Sequence, residues 1–296
     1  MTGHNLSVVI PTHNRPELLR RAVASVLVAL PEGAEILVVD DASDLRADQV
    51  LGDLVRAGAS LRIIRNRASL GPAGARNSGV RAAQGRIVLF LDDDDLLRRG
   101  YPEAVLFAAR ANDGPRWGFS PILTHLDPAT TLPEGRVDVG GTLLAGPGTR
   151  KHLGGLGCGF WIERGLFLEA GGLNGRLRVN EDTDLCLRLM GLGHWPWRGT
   201  LAGVSVLQRN SGKTGAPSVT RKTGAAERAE CFRAIRSSNA EFLAQAPLLR
   251  KFLLRRQLKM LARAGCGREA LAIIRAEGNA VDLALLTGFL VAERFR

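Results

Sequence analysis

An α/β fold with a doubly wound, mostly parallel central sheet and a helical C-terminal extension is the class this sequence predicts. Three observations predict it. Short runs rich in β-branched residues alternate with amphipathic segments across residues 1–125. Each run leads into polar residues, as strands do where their carboxyl ends face a ligand crevice. Residues 225–296 carry helical apolar spacing throughout.

The elements follow in order. "LSVVI" (6–10), "EILVV" (35–39), "LRII" (61–64) and "RIVLFL" (86–91) have the length and composition of buried parallel strands. Between the first two, Leu18, Leu19, Ala22, Val23, Val26 and Leu27 recur at helical spacing, and Pro16 suits the first turn. A second helix is predicted over roughly 73–83, after "GPAG". The strands end in Thr12, His13 and Asn14, then Asp40 and Asp41, then Asn66, then Asp92, Asp93, Asp94 and Asp95, so these clusters should line one rim. From Asp113 to Gly159 the chain is rich in Gly, Pro and Thr and the alternation is lost. "GFWIERGLFLEAGGL" reads as a strand and a short helix stopped by Gly171 and Gly172, and "EDTDLCLRLMGLG" as a further helix ended at Gly191 or Gly193. Residues 208–224 lack periodicity and read as a mobile basic loop. In the helical region, Leu254, Leu258 and Leu261 form an apolar stripe flanked by Arg255, Arg256, Lys259 and Arg263.

The 296 residues are 45% hydrophobic, which suits a globular protein with a sizeable core. No apolar run approaches the roughly 18 residues that cross a bilayer. "MTGHNLSVVIPTHN" lacks a basic segment followed by an apolar core, so a cytoplasmic location is expected. The four cysteines are scattered without a Cys-x-x-Cys pair, as reduced thiols would be. The net charge is +11, and residues 205–296 hold 17 Lys and Arg against 7 Asp and Glu. That field attracts phosphates, nucleic acid or an anionic membrane face without choosing among them.

Four consecutive carboxylates repel one another and need water, helix N–H groups or a cation. The run could be a solvated, helix-capping turn. A calcium loop fits poorly, because Leu97 stands at the sixth position where Gly is required, and a phosphatase Asp-x-Asp-x-Thr is absent. Asp92-x-Asp94 at a strand end remains, with hard oxygens suited to Mg²⁺ or Mn²⁺ carrying phosphates. Glu181, Asp182 and Asp184 open a helix, either as dipole-favoured acids or with one of them a general base. "NRASLGPAGARNSGV" offers a Gly-rich turn, a helix start and Arg76 for a diphosphate. That segment has no Gly-Lys-Ser/Thr, so it is not a Walker loop, and no Gly-x-Gly-x-x-Gly comes directly after the first strand.

Together, "SVVIPTHNRPELLRRAVASV", "ILVVDDAS", "GPAGARNSGVRAAQGRIVLFLDDDD" and "GFWIERGLFLEAGGLNGRLRVNEDTDLCLRL" occur in the order seen in family 2 glycosyltransferases, which this chain resembles over about residues 5–205. The resemblance implies the GT-A fold and inverting transfer from a nucleoside-diphosphate sugar, usually a UDP-sugar. It implies a GT-A domain over 1–207, with a nucleotide-sugar half 1–112 and an acceptor half 113–207; the loop 208–224 and the helical region 225–296 lie outside the resemblance. Backbone around Pro11 and Thr12, with Asn14 beside it, would approach the nucleotide, and Asp41 would read the base. Arg76 would approach the diphosphate, Asp92 and Asp93 would lie near the ribose, and Asp94, with Asp92, would hold Mn²⁺ or Mg²⁺. Asp182 would deprotonate the acceptor hydroxyl. Many relatives have Tyr where His13 stands, and a metal-approaching His where this chain offers Gln208 or Asn210.

The expected activity is therefore a metal-dependent, hexosyltransferase-type transfer in surface polysaccharide or glycolipid assembly. The acceptor would be a glycan or a lipid-linked glycan, with the basic tail resting on an anionic membrane face. A sugar-phosphate nucleotidyltransferase would carry a Gly-rich basic signature after the first strand, and "PTHN" is not one. A basic nucleic-acid-binding module would leave both acidic clusters idle, and one Tyr gives little for base stacking, so no nucleic acid is expected.

Overall fold

The computed structural model describes residues 4–56, 60–110, 114–125, 140–146, 148–207 and 222–294. The expected half-domain boundary at 112/113, most of the loop 208–224, and Gln208 and Asn210 lie outside them.

Strand β1 (Leu6–Thr12) pairs in parallel with β2 (Ala34–Asp40) on one side and β4 (Ile87–Phe90) on the other. β3 (Leu61–Arg65) extends the sheet beyond β2. Beyond β4 come β9 (Trp161–Glu163), β6 (Trp117–Phe119), β10 (Trp197–Gly199) and β8 (Gly141–Leu143), for the order β3-β2-β1-β4-β9-β6-β10-β8. β9 runs antiparallel to both β4 and β6. A small sheet of β5 (Asp95–Leu97), β11 (Val204–Leu207) and β7 (Ile122–His125) stands beside it. The strand order reverses between β1 and β4, which makes their carboxyl ends the switch point where such sheets bind ligands.

The pleat explains the layers. Val9, Leu37 and Val39 point into one core, while Val8, Ile10, Ile36 and Val38 point into the other. The second core is closed by α1 (Pro16–Ala29) through Leu19, Ala22, Val23 and Val26. The first is covered by α4 (Gly71–Ala82), α6 (Arg164–Glu169) and α7 (Glu181–Gly191). α4 approaches closely because of Gly79: a Cβ there would meet Val9 at 2.4 Å and Val39 at 3.0 Å. Two short helices, α2 (Ala47–Val50) and α3 (Gly52–Arg56), link β2 to β3, and α5 (Tyr101–Ala108) follows β5.

The C-terminal region is helical, as expected: α8 (Ala225–Ser238), α9 (Ala240–Gln245), α10 (Pro247–Arg263), α11 (Gly267–Glu277) and α12 (Ala280–Arg294). It shares the first core, since Phe232, Ile235, Leu249 and Leu253 join Leu185 and Leu189 of α7 there. The stripe of Leu254, Leu258 and Leu261 is buried in that core at 4, 1 and 3% exposure. Those leucines face protein, and the stripe gives no support to a membrane contact. Among the described residues no helix is long and apolar enough to cross a membrane.

Candidate active site

The polar strand ends do gather at one rim. Thr12 closes β1, and its hydroxyl donates to Asp93 at 2.8 Å across the switch point. Arg15, just before α1, donates to Asp93 at 2.9 Å and to Asp94 at 3.3 Å. Asp93 is buried, and burial lifts its carboxyl to about 6 against the pull of Arg15. Pro11 continues the ladder opposite Val39, and the Thr12 carbonyl accepts the Asp41 N–H at 2.9 Å. Asn14 takes a left-handed φ of 54° and pins the next loop, receiving the Asp44 N–H at 2.7 Å.

Asp41 is buried and saturated. It accepts from Asn66 Nδ2 and the Ser69 hydroxyl, both at 2.7 Å, and from the Leu70 and Gly71 N–H groups at 2.9 Å. These bonds fold loop 66–71 and set the start of α4. A base N–H reaches Asp41 only by displacing one of them.

Asp92, Asp94 and Asp95 present oxygens that all lie within 4.8 Å of one another. Hard oxygen donors at this spacing fit Mn²⁺ or Mg²⁺. Burial first, then the neighbouring Asp92 and Asp94 charges, push the Asp95 carboxyl up to about 9. A bound cation would relieve that repulsion. The expected pair of Asp92 and Asp94 is thus brought together and joined by Asp95. Asp93 points away to Thr12 and Arg15.

Arg76 is buried on α4, paired with Asp92 and, at 3.5 Å, with Glu181. It ties the aspartate turn to the first turn of α7. The expected approach of Arg76 to a diphosphate competes with these pairs. Asn180 enters α7 with a left-handed φ of 63°, a conformation Asn tolerates better than most residues. That entry places Asp182 beside Arg76. Burial raises the Asp182 carboxyl, while the Thr183 N–H at 2.6 Å and Arg76 pull it down. Burial likewise raises Glu181. Asp184 turns inward instead, held by Arg188 at 2.9 Å and Asn239 at 3.0 Å.

A glycine turn fits between the two acidic groups. A Cβ on Gly157 would sit 3.1 Å from Asp92 Oδ2 and 3.6 Å from Asp95 Oδ2, and one on Gly155 would sit 3.5 Å from Asp182 Oδ2. Bare backbone therefore lies against both. Sequence reasoning missed Arg15, the role of Glu181, and Gly155 and Gly157. Asp95 stood in the quoted run without an assignment, and the Gly-rich "GGLGCG" was the one visible signal for the turn.

Residues 7–114 match the sequence model of Glycosyl transferase family 2. An uncharacterized glycosyltransferase of Haemophilus influenzae is 29% identical over 199 residues, 62% of each chain. The succinoglycan biosynthesis protein ExoU of Rhizobium meliloti is 30% identical over 206 residues, 64% of this chain and 58% of that one. The GalNAc(5)-diNAcBac-PP-undecaprenol beta-1,3-glucosyltransferase of Campylobacter jejuni is 36% identical over 110 residues, 37% of this chain and 35% of that one. The match thus spans less than two thirds of the length of these relatives. Among solved structures, S. aureus TarS 1-349 in complex with UDP-GlcNAc superposes with a TM-score of 0.60 at 18% identity, over 88% of this chain and 72% of that one. GalNAc-T7 with UDP, GalNAc and Mn²⁺ gives 0.60 at 20%, over 79% and 48%. These likenesses show the GT-A fold. The family match on residues 7–114, the part that carries the aspartate turn, identifies that part as a glycosyl transferase family 2 domain.

Proposed function

We propose that this protein transfers a sugar from a nucleoside-diphosphate sugar, UDP-linked by preference, to an acceptor hydroxyl with inversion at the anomeric carbon. One observation carries the reading: a half-buried carboxylate, Asp182, and a hard-oxygen cluster, Asp92, Asp94 and Asp95, face one glycine turn, with Arg76 tying Asp92 to Glu181 next to Asp182.

Asp182 is the base. Its raised carboxyl shifts basicity toward neutral pH, where proton transfer is most effective. It takes the acceptor proton as the hydroxyl oxygen bonds to the sugar carbon, and the bond to the diphosphate oxygen breaks on the opposite face. Its electron pair leaves with the diphosphate. Asp92, Asp94 and Asp95 would hold Mn²⁺ or Mg²⁺, which supplies charge neutralisation for the leaving group. Arg76 keeps Asp92 and Glu181 in place, and Arg15 adds a positive charge beside Asp94. The nucleotide would lie along Pro11, Thr12 and Asn14, with Asp41 at the base end. The relatives acting in succinoglycan biosynthesis and on an undecaprenol-linked glycan support a glycan or lipid-linked acceptor.

The test separates donor binding from transfer. UDP should bind at least about tenfold more tightly with Mn²⁺ than with EDTA, and Asp94→Ala should erase that difference. Asp182→Asn should keep UDP and Mn²⁺ binding while transfer falls roughly 10²–10⁴-fold. Equal affinity in EDTA and Mn²⁺ would remove the metal assignment. An Asp182→Asn enzyme with more than about a tenth of native turnover would remove the base.

A further inference from the structure

Several cations of the helical region have carboxylate partners. Arg255 pairs with Asp282 at 2.9 Å, Arg263 with Glu293 at 3.2 Å, Arg236 with Glu277 and Arg233 with Glu230. Glu227 is taken by Arg178 at 3.7 Å. Arg150, Arg228 and Arg256 have no carboxylate partner among the described residues. α10, which carries Arg256, contains no Asp or Glu, and neither does the stretch 208–221 that precedes α8 in the sequence.

Two aromatic rings hold Arg150 and Arg256, and Arg228 stands one helical turn before the second ring in the sequence. The Arg150 guanidinium lies 5.7 Å from the Phe252 ring centre, and that of Arg256 lies 5.6 Å from the Phe232 ring centre. Phe252 and Arg256 stand four residues apart on α10, as do Arg228 and Phe232 on α8, so each pair shares a helix face. The result is a row from the 3-10 turn Arg150–His152 across α10 to α8: Arg150, Phe252, Arg256, Phe232, Arg228. A ring holds a guanidinium by its face, which leaves the N–H edges for another partner. The Nε of Arg228 is buried without a hydrogen bond. Partial burial, then the charges of Arg228, Arg150 and Arg263, push the Arg256 pKa down. Arg256 is thus a fork repelled by the guanidinium groups of Arg228 and Arg150 and held in place by packing.

Planar guanidinium forks match oxyanions bidentately, and three of them call for more charge than one carboxylate brings. We propose that Arg150, Arg228 and Arg256 form a binding site for a phosphoryl or diphosphoryl group, using none of the residues of the aspartate rim. The headgroup of an anionic lipid and a soluble phosphate both present that chemistry.

Calorimetric titration of the full chain with inorganic pyrophosphate, in EDTA so that the aspartates carry no cation, tests the site. Native protein should bind, and Arg256→Gln should weaken binding about tenfold. Arg150→Gln, Arg228→Gln and Arg256→Gln combined should abolish it, while Asp94→Ala should leave it unchanged. Arg256→Lys keeps charge and stem but not the fork, so an intermediate loss guards against a triple variant that folds poorly. Co-sedimentation with phosphatidylcholine vesicles, with and without phosphatidylglycerol, separates the sources. Capture by the anionic vesicles alone, lost in the triple variant, identifies a lipid headgroup, and pyrophosphate binding without capture identifies a soluble phosphate. Absence of pyrophosphate binding by the native protein, or equal binding by the triple variant, overturns the proposal.

Discussion

Adding Mn²⁺ to the metal-free protein at pH 7 should release about one proton for each ion bound. Asp95 is 4% exposed, and burial with the charges of Asp92 and Asp94 pushes its carboxyl up to about 9. At pH 7 a group with that pKa is about 99% protonated, and a metal ligand must be deprotonated to bind. Asp93, at about 6, is roughly nine tenths ionised at that pH and adds little. The same shift fixes the direction of stability. Between the unfolded carboxylate value of about 4 and the folded value of about 9, the folded state binds the extra proton. The stability contributed by Asp95 is therefore complete below about pH 4 and is lost as pH rises toward 9. Metal-free protein should melt at progressively lower temperature from pH 5 to pH 9, and Mn²⁺ should flatten that decline. Calorimetry in two buffers of different ionisation enthalpy counts the proton, and thermal melts across pH follow the slope. Binding of Mn²⁺ without proton release, or a metal-free melt that climbs with pH, would refute the reasoning.

Two other perturbations test how the rim is held. Arg76→Met leaves Asp92 and Glu181 without their buried partner, so unfolding should become easier by about 3–5 kcal/mol; a urea melt within about 1 kcal/mol of native would show that the pairing contributes little. Gly157→Val places branched carbons where even a Cβ lies 3.1 Å from Asp92, so Mn²⁺ affinity should drop about tenfold or more while the α10 core melts as before; unchanged affinity would move the turn away from the metal.

The sheet was legible because its signals are local. β1 to β4 appear as short β-branched runs, and the pleat sorts their residues onto two faces without help from distant sequence. β1 outlasts its apolar run and reaches Thr12 because pairing with β2 continues to Asp40. Helix α4 starts at Gly71, two residues before the expected start, since Gly71 and Pro72 fit its first turn. The later strands, three or four residues each, leave too little periodicity to read. The site divides the same way. Its strand-end clusters were visible, but Arg15 meets Asp93 across 78 residues and Arg76 meets Glu181 across 105, and no spacing rule reports such pairs.

The helical region bears on the position of the base. Asp184 stands two residues after Asp182, on the turn that fixes its direction, and is 2% exposed. Its carboxylate is gripped by Arg188, which also donates to the Gly172 carbonyl at 2.7 Å, and by Asn239 at the junction of α8 and α9. Next to Gly172, Leu173 exchanges bonds of 2.9 and 2.8 Å with Asn77, the neighbour of Arg76 on α4. One chain of polar contacts thus runs from the helix beside the aspartate turn, through the start of α7, into the C-terminal helices. Each buried member is satisfied by the next, which makes the set costly to break at any point. Asp184 is therefore a structural residue of this turn, although it stands only two residues from Asp182. The C-terminal helices share a core with α7 as well, so the region beyond the family match holds the helix on which the proposed base sits.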